Sequence, residues 1–208
     1  MRAAEDVRYL VNRGYPKDSS VRFVSDHYRL PEEQRFVLIR VIVAAKTANL
    51  RKAKAVPLEA LRGQELFVDG YNVLITVESL LKGRAVYLGD DGFLRDTQGI
   101  FRSYRASQST APALSQILDL LAYVAPARVE VLLDQQISWS GELAEQIREM
   151  MAGRGLPGGA CAVKDVDHRL KKAKVVATSD GNVIDAVSCA LDIAAEIARR
   201  RGIAPLLL

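Results

Sequence analysis

Two cysteines, two histidines and a single tryptophan in 208 residues leave little material for several common chemistries. Cys161 and Cys189 have no metal-ligand partner at short spacing. They read as two free buried thiols in a reducing, cytoplasmic setting, not as a zinc site or a disulfide framework. His27 and His168 stand alone, without the companions that a nucleophile–base pair or a zinc centre needs. No run approaches the ~18 uninterrupted apolar residues of a membrane span. The opening stretch MRAAEDVRYL carries acids early and lacks an apolar core, so no secretory signal is expected. Internal repeats and low-complexity segments are also missing.

What is present is an ordinary globular composition with 49% apolar residues, enough for a sizeable core. The net charge of +4 is unevenly placed. Residues 1–64 hold 13 Lys/Arg against 7 Asp/Glu, and residues 65–208 hold 16 against 18. A basic front on a slightly acidic body favours polyanions at one end and collects carboxylates at the other, although a solvated basic surface would look the same.

The front, residues 1–63, reads as a small helical domain. Val7, Leu10 and Val11 have helical spacing over 3–12, and Gly14 with Pro16 stops that helix. Asp18, Ser19 and Ser20 offer caps for a second helix carrying Val21, Phe23, Val24 and Tyr28. Pro31, Glu32 and Glu33 open a third that runs to about Lys46. This pair of helices, with Arg29, Arg35 and Arg40 on it, fits a nucleic-acid-reading helix-turn-helix or a plain packing unit. Residues 49–63 read as a basic connector with a short helix near 57–62.

From residue 64 the pattern changes to short apolar runs alternating with helical segments. Strands are expected at Leu66–Val68, Val129–Leu133, Ala160–Val163 and Val175–Ala177, and helices after the first strand and over 112–124, 140–152 and 183–200. That alternation implies a doubly wound, mostly parallel α/β sheet over 64–208. RAVYLGDDGFLRD (84–96) reads as a hairpin with a GDDG turn.

Three strands end on an acid: FVD at Asp69, LLD at Asp134 and TSD at Asp180. In open α/β sheets the ligand site lies beyond the carboxyl ends of the strands, so neighbouring strands would gather these acids. Packed carboxylates repel one another, and a hard divalent cation relieves that repulsion. Each acid alone has a structural explanation, because Asp69-Gly70 and Asp180-Gly181 are turn dipeptides and Asp134 is placed to cap a helix. The repetition favours the metal reading.

FVDGYNVL (67–74), VEVLLD (129–134) and VVATSDGNVID (175–185) together resemble the NYN branch of the PIN-like ribonucleases. The whole chain is also similar to archaeal proteins of unknown function that join a small helical domain to such a domain. The resemblance, over about residues 65–200, implies a PIN-like fold and Mg²⁺- or Mn²⁺-dependent cleavage of RNA phosphodiesters. By position it implies Asp69, Asp134 and Asp180 as metal ligands and catalytic acids. Asn72 would hold the Asp69 loop or contact the substrate, and Asp185 would orient a water or a second metal. The 89–96 insertion departs from that family; Asp91 or Asp96 supplies a further ligand if the segment is not simply a turn.

Nucleic acid, RNA rather than DNA, is therefore the expected partner. QGIFRSYR (98–105) interleaves Arg102 and Arg105 with Phe101 and Tyr104, as a single-strand platform or as core aromatics with solvated arginines. Lys171 and Lys172, in DHRLKKAK (167–174), belong to a solvated charge run that could also steer phosphate. Arg35 and Arg40 are the candidates in the helical front. Trp139 follows soon after Asp134. The competing readings are a non-catalytic RNA- or DNA-binding protein on the same fold, and a phosphatase using Asp69 as nucleophile. The phosphatase lacks its usual second acid, because residue 71 is Tyr.

Overall fold

The computed structural model describes residues 2–97 and 104–208. Helices α1 (Arg2–Asn12), α2 (Lys17–His27) and α3 (Glu32–Val41) enclose their own small core of Val7, Val11, Val21, Val24, Leu38 and Ile42. The third helix stops earlier than its apolar pattern suggests. Ile42 is extended (φ −83°, ψ 132°), and a separate helix α4 (Ala45–Lys52) follows, running from the end of the expected third helix into the expected connector. Asn12 accepts the Ala45 backbone N–H at 2.7 Å, which fixes the new helix start. A single 3-10 turn (Leu58–Leu61) leads into the sheet.

The sheet has five parallel strands in the order β5 (Gly158–Val163), β4 (Arg128–Asp134), β1 (Glu65–Asp69), β6 (Val175–Ala177) and β7 (Cys189–Leu191). Alternate residues of each strand enter opposite cores. Leu66, Val68, Val129, Val131, Val175 and Ala177 pack under α5 (Gly70–Leu81), α6 (Thr110–Val124), α7 (Ser140–Ala152) and α10 (Ile193–Arg200). Phe67, Leu132 and Val176 pack on the other face with Leu170 of α8 (Val166–Leu170) and with Val183 and Ile184 of α9 (Gly181–Ala186). Both faces are covered, so the strands carry the near-continuous apolar runs that marked them in the sequence.

The long helix expected over 183–200 does not form. Its place is taken by α9, then strand β7, then α10. Val183 and Val187 enter one core while Leu191, Ala194 and Ile197 enter the other, so a spacing that looked like one helical stripe serves both faces of the sheet. Asp192 makes the break by accepting the Ala195 N–H at 2.8 Å as the cap of α10. Its other oxygen accepts the Leu94 N–H. The connector then covers the exposed edge of β7: Ala190 donates to the Lys54 carbonyl at 2.8 Å, and Val56 donates to the Ala190 carbonyl at 3.0 Å.

Residues 84–96 form the expected hairpin, with β2 (Val86–Leu88) antiparallel to β3 (Leu94–Asp96). The C-terminal Leu206 adds to β2 through hydrogen bonds with Val86 and Leu88. No helix among the described residues is long and apolar enough to cross a membrane. Cys161 and Cys189 are free and half-buried.

Candidate functional site

All five strands run the same way, so Asp69, Asp134 and the TSD segment emerge at one edge of the sheet. Strand connections run outward from β1 through β4 and β5, then resume on its other side at β6. The reversal makes this edge the ligand-binding position of an open α/β sheet. A cavity of about 520 Å³ opens there. Asp69, Asn72, Asp134 and Asp180 all line it, and so does Asp96 from the hairpin.

Gly70 lets Asp69 sit where it does. A β-carbon at Gly70 would meet Leu133 Cδ2 at 2.6 Å and the Leu132 carbonyl at 2.7 Å, because α5 starts directly against β4. The turn reading of Asp69-Gly70 gives way to one of close backbone approach. Gly70→Ala is expected to cost about 1–3 kcal/mol of folding free energy through overpacking, measured by urea denaturation.

Asp69 is buried, and its carboxylate accepts the Thr178 hydroxyl at 2.8 Å. Burial pushes its pKa up to about 7; the bonds from Thr178 and the Asn72 N–H pull downward, while the charges of Asp180 and Asp167 add to the rise. Asn72 uses its side-chain oxygen to accept the Ser179 N–H at 2.8 Å and the Ser179 hydroxyl at 3.0 Å. It therefore clasps the first-strand loop to the TSD loop. Asp180 accepts the Asn182 N–H at 2.7 Å as the cap of α9, and Asp134 accepts the Gln136 N–H at 2.8 Å. Cap chemistry and cavity lining coexist in Asp180; Asp134 does not cap the helix that follows, whose cap position is Trp139, and its bond to Gln136 closes a local turn instead.

Several residues of this cavity escaped the sequence reading. Lys164, Asp165, Asp167 and His168 line it from the end of β5 and from α8. His168, isolated in the sequence, faces a cavity of acids in space. Arg40 reaches the same cavity from the N-terminal helices, with Nη2 at 3.6 Å from Asp96 Oδ2. Its Nε is buried without a hydrogen-bond partner among the described residues. Burial lowers the Arg40 pKa, opposed by Asp96, Asp180 and Asp69. The available signal was Arg40's place in a basic front, but its target depends on docking that no local pattern encodes.

Other expected site residues lie elsewhere. Asp185 is tied to Arg51 of α4 at 2.8 and 2.7 Å and is not part of the cavity wall. The structure gives it an ion pair with the helical front in place of a position on the cavity wall. Arg51 also bonds Asp91 at 3.0 Å; Asp91 in turn pairs with both terminal nitrogens of Arg95 at 2.6 and 2.7 Å. Arg95 Nε donates to the Ser179 carbonyl at 3.0 Å. This chain of charges runs from α4 to the TSD loop. Gly181 leaves room for it, since a β-carbon there would run into the Arg51 guanidinium. Asp90 pairs with Arg8 at 2.7 Å. The hairpin's acids therefore divide their work, with Asp90 and Asp91 clamping the helical front and Asp96 facing the cavity.

Arg35 is engaged with Asp26 at 2.9 Å and with the Leu30 carbonyl. Lys171 lies within 3.8 Å of Asp167, and Lys172 lines a groove with Gln64, Glu65 and Val175. Those residues begin β1 and β6, so Lys172 stands at the sheet edge opposite the acids. Phe101 and Arg102 lie outside the described residues. Tyr104 is buried and bonds Glu78 at 3.0 Å, whereas Arg105 is exposed.

Oxygen donors predominate in this cavity, but no three Asp, Glu, His or Cys among the described residues are grouped so as to hold a metal ion. A family model described as a domain of unknown function (DUF5616) matches residues 58–196, and another described as a protein of unknown function (DUF434) matches residues 1–54. An uncharacterized protein, MJ0935 of Methanocaldococcus jannaschii, is 39% identical over 197 residues, which cover 94% of each chain. No solved structure matches the chain. With two thirds of its length matched by the family model and a relative of that identity along nearly all of it, the chain belongs to the DUF5616 family and carries a DUF434 segment in front.

Proposed function

We propose that the protein is a PIN-like, metal-dependent nuclease of the cytoplasm that hydrolyses phosphodiester bonds, in RNA rather than DNA. The observation that carries this reading is the meeting of Asp69, Asp134 and Asp180 with Arg40 around one cavity at the strand-end edge. Hard oxygen donors suit Mg²⁺ or Mn²⁺. Mg²⁺ keeps several waters and is commonly held by one or two carboxylates plus substrate phosphate, so a site without a closed three-acid cage still fits it. Asp69 and Asp180 would hold the ion, with Asp134 on the same wall. When bound, it supplies polarisation of the phosphate and activation of water for in-line attack.

The remaining work belongs to the protein. Thr178 and the Asn72 N–H hold the Asp69 carboxylate in place. Asn72 keeps the Asp180 loop in register with it. Arg40, with a buried Nε and a long contact to Asp96, is positioned to exchange that contact for a phosphate oxygen.

Labelled single-stranded RNA incubated with Mn²⁺ should be cut. Asp180→Asn should slow cleavage by about a hundredfold or more, the scale of removing one charge-stabilising group. Arg40→Ala should slow it by at least about tenfold, with Arg40→Lys retaining part of the rate. Cleavage unaffected by Asp180→Asn would remove the assignment. Salt-sensitive binding with no cleavage of any RNA or DNA would identify a non-catalytic nucleic-acid-binding protein instead.

A further inference from the structure

A second cavity, of about 540 Å³, adjoins the first and shares Tyr71 with it. Tyr71, Tyr104, Arg105, Gln136, Ser138 and Trp139 shape it. We infer that this cavity is a nucleobase subsite of a single-stranded polynucleotide, with Trp139 as its stacking platform and Arg105 as its phosphate contact. The inference rests on the proposed nuclease reading for the identity of the polymer, while its own observations concern a different set of residues.

Trp139, the chain's only tryptophan, is 74% exposed. Nothing in the core requires it. It immediately precedes α7 with a left-handed backbone (φ 68°, ψ 18°), and its side chain makes no capping bond. Ser, Asp, Asn or Gly would serve that position better, and a bulky side chain at positive φ is a strained choice. A large flat ring held outward at a conformational cost is accounted for by what it touches outside the chain.

Its surroundings narrow the ligand. Arg105 is exposed and carries a fixed positive charge, so the polar side of the cavity suits an anion. Gln136 spends its backbone N–H on Asp134, leaving an exposed side-chain amide that can both donate and accept at a base edge. The far wall is the pair Tyr71–Tyr104, ring centroids 5.1 Å apart, anchored by the Tyr104 hydroxyl on buried Glu78. An aromatic surface for a base and an arginine for backbone phosphate are the two parts of a single-strand binding site. Their continuity with the acid cavity through Tyr71 places the flanking nucleotide beside the bond to be cut.

The single tryptophan provides the test. Asp180→Asn protein in Mg²⁺ is titrated with a fluorophore-free oligoribonucleotide while tryptophan emission is followed; binding is measured separately by anisotropy of an end-labelled copy. Stacking should quench the emission at saturation. Trp139→Ala, made in the same background, should weaken binding by about tenfold or more, and Trp139→Phe should restore most of it. Arg105→Ala should reduce the salt dependence of binding. Trp139→Gly should leave the thermal midpoint unchanged or raised, whereas a structural tryptophan would lower it. Oligonucleotide binding with unchanged emission, or with full affinity in Trp139→Ala, would overturn the subsite even if the wild-type protein cuts RNA. Quenching by an oligonucleotide that the wild-type protein never cuts would sustain the subsite and overturn the nuclease.

Discussion

Asp91→Ala is expected to destabilise the fold by about 3–5 kcal/mol, a large share of the ~5–15 kcal/mol that typically separates native from unfolded domains. The Asp91 side chain is 0% exposed and neutralises two guanidiniums, Arg95 at 4% and Arg51 at 12% exposure. Burial works to raise the Asp91 pKa, but the bonds and charges of Arg95 and Arg51 outweigh it and hold the carboxyl below its ordinary range. Removing the carboxylate leaves two cations facing one another with little access to water. Among the described residues Arg95 then keeps its hydrogen bond to the Ser179 carbonyl, and Arg51 keeps Asp185. Arg51→Met should cost less, because Arg95 still satisfies Asp91. Chemical denaturation at pH 7 measures both variants, and a loss under about 1 kcal/mol for Asp91→Ala would show that the cluster is solvated. The sign with pH follows from the lowered pKa. The contribution is present above about pH 4 and disappears as acid protonates Asp91, so the variant should lose less stability than wild type below that pH.

Asp69→Asn should do the opposite to stability and, under the proposed function, remove cleavage. The native pKa of Asp69 is about 7, against 3.8 in an unstructured chain. Between those values the native state holds a proton that the unfolded state has released, so stability falls as pH rises from about 4 to 7 and then levels off. A difference of three units corresponds to about 4 kcal/mol. Asn removes the charge yet keeps an oxygen that can accept from Thr178. At pH 8, without divalent ions, the variant is therefore expected to be more stable than wild type by on the order of 2–4 kcal/mol. It should also show no decline between pH 4 and 7. Millimolar Mg²⁺ should raise the wild-type melting temperature at pH 8 and leave the variant nearly unmoved, since only ligand binding to the native state stabilises it. A less stable variant, or equal Mg²⁺ shifts in the two proteins, would remove Asp69 from the ion-holding set.

The local pattern was sufficient for four of the five sheet strands. Apolar runs bounded by acids, glycine and polar residues give Leu66–Val68, Val129–Leu133 and Val175–Ala177, because strands covered on both faces leave no alternation to misread. It failed at 183–200 for a related reason. Val183, Val187, Leu191, Ala194 and Ile197 satisfy helical spacing, yet they serve two cores separated by the sheet. The break is made by β-pairing of Cys189–Leu191 with Val175–Ala177 and by the Asp192 cap. Only Asp192 was visible locally, and an aspartate within a helical pattern is a weak signal.

Charge was harder to read than apolarity. Asp185 looked like a spare ligand because it followed the TSD acid, but Arg51, 134 positions away, holds it. Arg40 looked like part of a surface helix pair, and docking of the helical front turns it into the acid cavity. Lys172 looked close to the site because it precedes β6 by only a few residues. A short parallel strand puts its entry and exit on opposite edges, and the lysine sits at the wrong one.

Chain order and apolar spacing alone therefore determined the α/β class, the helical front, and the three strand-end acids delivered to one edge, since all of these follow from nearest-neighbour backbone pairing and burial. Tertiary structure alone decided which charges meet. A carboxylate or guanidinium is chemically the same wherever it stands, and whether it becomes a clamp, a cap or a cavity wall depends on partners brought near by folding and on how much water is left between them.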